Sequence, residues 1–156
     1  MNPHDGAFAA QRPWLQEALR ETDAAVQHVP LRTGEDVVRL RKLVREAAVA
    51  QGMSLVDQTK LVTAASELAR NTVLYGGGGT AEVLPVTAGA RRGVQLRFID
   101  QGPGIADVQA AMQDGFTTGD GMGLGLGGAR RLSDAFEIDS APGRGTTVTI
   151  ARYGVF

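Results

Sequence analysis

The stretch DGMGLGLGG, at positions 120–128, runs directly into a helix-forming sequence that begins at Ala129. Glycine at every second position removes the β-carbons that would keep a ligand away from the backbone amides, and a helix N-terminus behind such a loop adds partial positive charge. The pattern therefore predicts a phosphate-binding loop. The alternative is a flexible linker, but linkers favour glycine with serine and do not lead into an amphipathic helix.

The surroundings of this loop exclude two common kinds of nucleotide-binding motif. Gly123, Gly125 and Gly128 match G-x-G-x-x-G, but residues 113–119 before them read as a loop and not as the strand that a dinucleotide-binding unit requires. The sequence holds neither G-x-x-x-x-G-K-[ST] nor the H-R-D and D-F-G signatures of eukaryotic-type kinases. The ligand must therefore be identified from the rest of the chain.

The composition predicts one domain without a strongly charged surface. The chain has 156 residues, 43% of them hydrophobic, and its 16 basic and 17 acidic residues give a net charge of −1. This balance gives no reason to expect a nucleic acid or a membrane surface as partner. With no cysteine and two histidines, the sequence does not predict a zinc site. No apolar run of transmembrane length or signal-peptide pattern is present, and we expect a cytoplasmic protein.

Helices and strands are predicted along the whole chain. Residues 1–25 are expected to form a partly flexible N-terminal extension, with a short helix from Pro13 to about Thr22 whose Trp14 caps the core or anchors a partner. Residues 26–153 are expected to form a single domain. Its predicted elements are an edge strand at 25–32, helices at 33–52 and 54–75, strands at 80–88 and 94–99, a short helix at 106–112, a helix from the glycine-rich loop to about 133, and strands at 136–140 and 146–152.

Glu67 and Asn71 lie four residues apart on the second long helix, so their side chains are neighbours at the edge of its apolar stripe. An amide oxygen suits Mg²⁺, which takes few protein ligands and completes its shell with phosphate oxygens and water. A carboxylate one turn away could deprotonate or orient a nucleophile. Taken alone, the E-x-x-x-N spacing is common, and chance is the better explanation until other elements join it.

Asp100 follows a predicted strand and opens the sequence DQGPG at 100–104. A carboxylate in this place can accept a hydrogen bond from the exocyclic amine of adenine, where guanine carries a carbonyl oxygen. Gly102 and Gly104 would let the backbone approach a flat ring. The alternative is a simple proline-glycine turn, in which any polar residue could replace Asp100. A fourth stretch, Gly145-Thr146-Thr147, begins the last predicted strand and in isolation indicates no more than that.

Together, in this order and spacing, these residues resemble the Bergerat-fold (GHKL) ATPases, which group gyrase, the Hsp90 chaperones, histidine kinases and MutL. The resemblance covers about residues 60–150. It implies an α+β fold, a two-layer α/β sandwich whose mixed, mostly antiparallel sheet has helices on one face, and it implies ATP and Mg²⁺ as cofactors. The roles it implies are Glu67 as catalytic base, Asn71 as Mg²⁺ ligand, Asp100, Gly102, Gly104 and Thr146 at the adenine, and Gly121, Gly123, Leu124, Gly125 and Leu126 in a mobile lid over the phosphates.

Within that superfamily the chain is similar to the small serine kinases of bacterial partner-switching systems, of the RsbT stressosome type, through residues 56–71, 74–75 and 128–136. This similarity implies phosphorylation of a STAS-domain antagonist protein, followed by binding of a PP2C-like phosphatase or another output protein. Two alternatives stay open: an anti-sigma factor that sequesters a sigma factor under ATP control, and a nucleotide-gated activator whose transfer chemistry is incidental. We also expect residues 114–126 to be the least ordered internal segment without nucleotide.

Overall fold

The structure is a computed structural model, and it describes residues 26–113 and 125–154 of the chain. Two long helices come early in the chain, and four of the five strands follow them. In chain order the elements are β1 (Gln27–Leu31), α1 (Gly34–Ala50), α2 (Leu55–Leu74), β2 (Gly79–Ala88), β3 (Arg91–Asp100), α3 (Val108–Ala111), α4 (Gly125–Arg131), β4 (Ala135–Ser140) and β5 (Thr146–Tyr153).

Side-chain caps fix where the two long helices begin. Thr33 accepts a hydrogen bond from the backbone N–H of Asp36, and the Asp36 carboxylate accepts one from the backbone N–H of Thr33, which is a complete capping box. Backbone hydrogen bonds from Arg32 and Thr33 hold the pKa of Asp36 below its usual value. Ser54 caps α2 in the same way, through the backbone N–H of Asp57. Both predicted helix starts are therefore confirmed.

The five strands form one sheet in the order β1-β2-β3-β5-β4, with every neighbouring pair antiparallel. The predicted two-layer α+β fold is confirmed. The prediction of a mixed, mostly antiparallel sheet is sharpened, because all pairings in the described part of the chain are antiparallel. The central strand β3 ends at Asp100, which pairs with Gly79 of β2 on one side and with Thr146 of β5 on the other.

The main core lies between the helices and one face of the sheet. The helices contribute the apolar stripe that periodicity predicts, and the strands contribute alternate residues, because side chains along a strand point to opposite faces. Its largest fully buried side chains come from both layers: Leu40, Leu61 and Leu68 from the helices, and Leu31, Leu96, Phe98 and Ile150 from the sheet.

A second, smaller group of buried residues lies on the opposite face of the sheet. The strand registers link them: Gln95 pairs with Leu84 on one side and with Ala151 on the other. Burial raises the pKa of Tyr153, a member of this group, to about 12. We call the group the outer-face cluster; it consists of Leu84, Val86, Ala135, Ala151 and Tyr153.

A largely buried ion pair joins the sheet to two helices. The Arg152 guanidinium donates to Oδ1 of Asp57, with Nη2 at 2.7 Å, and its Nη1 donates to the backbone oxygen of Leu132 at 2.9 Å. Burial alone would raise the pKa of Asp57, but hydrogen bonds from Arg152 and Ser54 outweigh it and lower that pKa. Arg152 therefore joins β5 to the start of α2 and to the end of α4.

Some element bounds differ from the predictions. Strand β3 begins at Arg91 and not at Val94, since Gly93 lies inside the strand and pairs with Tyr153 of β5. The short helix α3 covers only Val108–Ala111 after its cap, Asp107. The predicted helix that contains Trp14, and all of the predicted lid except Gly125 and Leu126, lie outside the described residues. None of the helices in the described part is long and apolar enough to cross a membrane.

Candidate functional site

Asp100 lies where three strands meet, at the end of β3, between Gly79 of β2 and Thr146 of β5. One oxygen of its carboxylate, Oδ1, accepts a hydrogen bond from the backbone N–H of Gly102 at 2.9 Å. The hydrogen bonds formed among the described residues leave the second oxygen, Oδ2, without a donor. The carboxylate is therefore oriented by the backbone while one acceptor stays available to a ligand.

The exit of helix α2 lies directly against this carboxylate. A β-carbon on Gly76 would lie 2.5 Å from Cγ of Asp100, so a side chain at position 76 would displace that carboxylate or the helix exit. A β-carbon on Gly102 would lie 2.7 Å from the backbone oxygen of Gly76. These two glycines therefore let the exit of α2 and the loop after β3 pack closely around the Asp100 carboxylate. Gly76 belongs to none of the motifs that the sequence shows, so this role was missed.

Gly145 and Thr146 complete the site from the last strand. Gly145 has a φ of +75°, and a β-carbon there would collide with the backbone oxygen of Asp100. The Thr146 hydroxyl lies 2.7 Å from Oγ of Ser140, and Ser140 Oγ lies 3.0 Å from the Gly145 carbonyl. If Ser140 donates its one proton to that carbonyl, Thr146 donates to Ser140 and keeps its own lone pairs for a ligand.

Ser140 is a site residue that no local sequence pattern indicated. Its Oγ also accepts the backbone N–H of Ile105 at 2.8 Å, which fixes the end of the loop that begins at Asp100. Gly104, in the same loop, lies against the turn before β5, where a β-carbon would be 3.3 Å from the Gly145 carbonyl. The antiparallel pairing of β4 with β5 brings Ser140 to Thr146.

Glu67 and Asn71 lie on consecutive turns of α2, as predicted. The Glu67 side chain is largely buried, at 17% exposure, and its Oε1 is 3.2 Å from Nη1 of the more exposed Arg70. The backbone oxygen of Asn71 accepts the N–H of Gly76 at 3.1 Å, and no hydrogen bond in the described part of the chain uses the Asn71 side-chain amide. An unused amide at a half-buried position inside a helix suits a ligand role better than a packing role.

The structure brings three of the four predicted stretches together. The backbone oxygen of Asn71 accepts the N–H of Gly76, and Gly76 lies against the Asp100 side chain. Asp100 in turn pairs with Thr146. Helix α4 packs against α2, but of the predicted lid residues only Gly125 and Leu126 are described, and Leu126 is a buried member of the main core. Gly121, Gly123 and Leu124 lie outside the described residues.

The donor set is consistent with ATP and Mg²⁺. The available Asp100 oxygen fits an adenine ring, which carries an exocyclic amine. Within residues 26–113 and 125–154, no group of three or more His, Asp or Glu side chains could hold a metal ion. A cation here would depend on Asn71, phosphate oxygens and water, and this is the coordination that Mg²⁺ prefers.

Comparison with known proteins agrees with this geometry. The family model described as histidine kinase-, DNA gyrase B-, and HSP90-like ATPase matches residues 56–153. The serine/threonine-protein kinase RsbT of Bacillus subtilis (strain 168) is 41% identical over 125 residues, which are 80% of this chain and 94% of that protein. The anti-sigma F factor of Thermoanaerobacter sp. (strain X514) is 28% identical over 117 residues, 72% of this chain and 82% of that protein.

A solved structure shares the fold. In the crystal structure of the RsbU and RsbW domains of a Mycobacterium tuberculosis protein, the matching chain is 24% identical with a TM-score of 0.58. The match covers 82% of this chain and 32% of that one. The chain belongs to the histidine kinase-, DNA gyrase B-, and HSP90-like ATPase family and, within it, to the RsbT-type serine/threonine-protein kinases.

Proposed function

We propose that this chain is the ATP-dependent serine/threonine kinase of a bacterial partner-switching pathway, with residues 26–153 as a single kinase domain. Its proposed substrate is a STAS-domain antagonist protein, and its proposed output is a PP2C-like phosphatase or a similar partner, all in the cytoplasm. The similarity to RsbT and to the anti-sigma F factors supports a partner-switching role. The observation that carries the proposal is the convergence of Gly76, Asp100 and Thr146 at the end of the helix that bears Glu67 and Asn71.

We propose that Asp100 recognises the adenine base through a hydrogen bond. Its available oxygen accepts the exocyclic amine, while Gly102 and Gly104 allow the backbone to approach the base and Thr146 offers a second acceptor. A guanine would place a carbonyl oxygen against the carboxylate and would be repelled. The site therefore selects ATP over GTP.

Glu67 and Asn71 are proposed to act at the phosphate end of the site. Bound ATP supplies a transferable phosphoryl group with its Mg²⁺. The Asn71 amide oxygen would hold the cation, and Glu67 would accept the proton of the substrate hydroxyl. The ion pair with Arg70 orients the Glu67 side chain, but it is partly exposed and can open when substrate arrives. Backbone groups of Gly121, Gly123, Leu124, Gly125 and Leu126 are proposed to contact the phosphates.

Replacement of the proposed base tests this function. We expect Glu67→Gln to bind ATP as the unchanged protein does but to lose phosphoryl transfer by roughly 10²–10⁴-fold, the usual contribution of a general base. Transfer is measured with labelled ATP and the STAS-domain proteins encoded beside the gene, and ATP binding by calorimetry. Glu46→Gln, on the exposed surface of α1, is the matched control and should change neither quantity. Retained transfer in Glu67→Gln would rule out Glu67 as the base.

The second candidate function is an anti-sigma factor that uses ATP to switch partners, which the anti-sigma F factor relatives favour. Co-purification with a sigma factor, together with no label on any STAS-domain protein, would support it over the kinase. A nucleotide-gated activator is distinguished by the same variant. Glu67→Gln would still activate the phosphatase if transfer were incidental, but it would not under the kinase proposal.

A further inference from the structure

The exposed side of helix α2 carries the proposed base between two cations. Lys60 lies seven residues before Glu67 and Arg70 three residues after it, so the two are about 10 Å and about 5 Å away along the helix axis. These spacings place all three residues on one side of the helix. The other carboxylate of α2, Asp57, is largely buried and paired with Arg152. The exposed side of α2 therefore has two cations for one carboxylate, which fits an acidic surface on a partner.

The Arg70 side chain has few contacts with the rest of the fold. Within the described part of the chain it makes one hydrogen bond, from Nη1 to Oε1 of Glu67 at 3.2 Å. A guanidinium carries five N–H donors, so most of its hydrogen-bonding capacity is unused. Exposed ion pairs of this kind stabilise a protein little, and a carboxylate from a partner can therefore replace Glu67 at Arg70.

An ion pair on α1 has the same spacing but a different setting. Arg39 lies 3.0 Å from the carboxylate of Asp36, three residues before it. The Asp36 carboxylate also accepts two backbone N–H groups at the start of α1, so it has a structural role there. Glu67 lies in the middle of α2, and its carboxylate accepts no backbone N–H among the described residues. The pair between Glu67 and Arg70 can therefore open without loss of a helix cap.

A leucine side chain adds an apolar contact beside Arg70. Leu74 lies four residues after Arg70, one turn farther along the same side of α2, and it is 63% exposed. The helix ends just after it, and Gly76 lies against the Asp100 carboxylate. One exposed leucine is ordinary on a protein surface, but this one lies between the proposed base and the nucleotide end of the site. We call Lys60, Arg70 and Leu74 the α2 surface.

We propose that the α2 surface docks the protein substrate, and that a carboxylate of the substrate, close to its acceptor hydroxyl, pairs with the Arg70 guanidinium. The inference rests on the proposed function, in which Glu67 is the base. Once the substrate carboxylate takes over Arg70, Oε1 of Glu67 has no ion pair and is available to the hydroxyl proton. A hydroxyl without a neighbouring carboxylate leaves Glu67 paired, so Arg70 selects among substrates.

Substitution of Arg70 separates substrate docking from transfer. With the full-length protein, labelled ATP and the STAS-domain protein that it phosphorylates, we expect Arg70→Gln to raise KM for the STAS-domain protein by roughly 10–100-fold, the usual worth of a hydrogen bond to a charged group. The KM for ATP, and kcat at saturating substrate, should not change. Arg70→Lys keeps the charge and should recover part of the loss. Arg39→Gln is the matched control, because it removes an ion pair of the same spacing and similar exposure.

The kinetic constants that change decide between docking and a merely structural role. A fall in kcat with an unchanged KM for the STAS-domain protein would overturn the proposal, because Arg70 would then serve to hold Glu67 and not the substrate. Unchanged constants in Arg70→Gln would overturn this inference alone. No transfer by the unchanged protein to any STAS-domain protein encoded beside the gene would overturn the proposed function, and this inference with it.

A charge reversal identifies the substrate carboxylate. Arg70→Glu should weaken docking further than Arg70→Gln, and replacement of one Asp or Glu near the phosphorylated residue of the STAS-domain protein by Arg should restore it. Failure of every such replacement to restore docking would overturn the proposal. Leu74→Ser should raise the same KM by a smaller factor, whereas Val38→Ser, at a 64% exposed position on α1, should not.

Discussion

At Asp100, one carboxylate oxygen is held by the backbone N–H of Gly102, and the other is available to a ligand. Because one oxygen is fixed and the other is an available acceptor, the residue can distinguish adenine from guanine. An amide in place of the carboxylate could still accept from Gly102, but it would present an NH₂ group where the acceptor had been. The change removes no packing, but it removes the negative charge of the carboxylate and replaces an acceptor by a donor.

Asp100→Asn should therefore exchange one base preference for the other. We expect ATP affinity to fall by about 10²-fold, because an NH₂ group then faces the adenine amine, and GTP affinity to rise because the new donor faces a carbonyl oxygen. Calorimetric titration with both nucleotides measures the ratio. Asp139→Asn, on neighbouring β4, is the control for loss of a carboxylate near the site. An unchanged preference for ATP would show that Asp100 does not contact the base.

Gly76→Ala tests the close approach of helix α2 to the site. A methyl group 2.5 Å from Cγ of Asp100 must displace either the carboxylate or the helix exit, so we expect a loss of about 1–3 kcal/mol of stability and a weaker ATP site. Gly34→Ala is the control, because nothing lies within 4 Å of that position and it begins α1. Urea denaturation measures the first effect and calorimetry the second. Equal behaviour of both variants would contradict the packing described for Gly76.

Among the elements, those with local signals could be predicted well. The caps Thr33 and Ser54 fix the starts of α1 and α2 because a side chain and a backbone N–H three residues away satisfy each other without help from the rest of the fold. The start of β3 could not be predicted in the same way. In the sequence, Gly93 is typical of a turn. It belongs to the strand because it pairs with Tyr153, which lies 60 residues later in the chain.

The joint between β5, α2 and α4 depends on the pair Asp57–Arg152. Because the pKa of Asp57 is lowered in the folded protein, the unfolded chain takes up its proton first as the pH falls. The stability that the pair contributes is present above the unfolded pKa of 3.8 and is lost as the pH falls from there through the folded pKa.

Arg152→Ala should cost about 2–4 kcal/mol near neutral pH, because it leaves a largely buried carboxylate with only Ser54 and Lys60 near it. Its stability should also depend less on pH below about 4 than that of the unchanged protein, because the pKa of Asp57 moves back towards its usual value. Urea denaturation at a series of pH values measures both effects. Arg144→Ala, which removes a partly exposed ion pair with Asp139, is the control. If the free energy of unfolding fell with pH in the same way for the unchanged protein, Arg152→Ala and Arg144→Ala, the role given to the pair would be contradicted.

For the whole molecule, the candidate site could be predicted only as separate stretches. Asp100 and Thr146 each stood beside a motif in the sequence, and the order of the motifs indicated the family. Gly76 and Ser140 had no such signal, because their roles exist only once α2 ends against β3 and β4 pairs with β5. The outer-face cluster was missed for the same reason, since a strand with buried residues on both faces does not show simple alternation.

Nucleotide binding should stabilise the molecule as a whole, since Asp100, Asn71 and Thr146 come together only in the folded chain. With Mg²⁺ and ATP at about 100 times the dissociation constant, we expect about 2.7 kcal/mol of added stability. For a domain of this size that corresponds to a rise in melting temperature of about 5–15 °C. Thermal unfolding followed by circular dichroism, with GTP and with Asp100→Asn as controls, should show no comparable rise for either. An equal rise in melting temperature with ATP and GTP would show that the site does not distinguish adenine from guanine. No rise with ATP would contradict nucleotide binding at this end of the sheet.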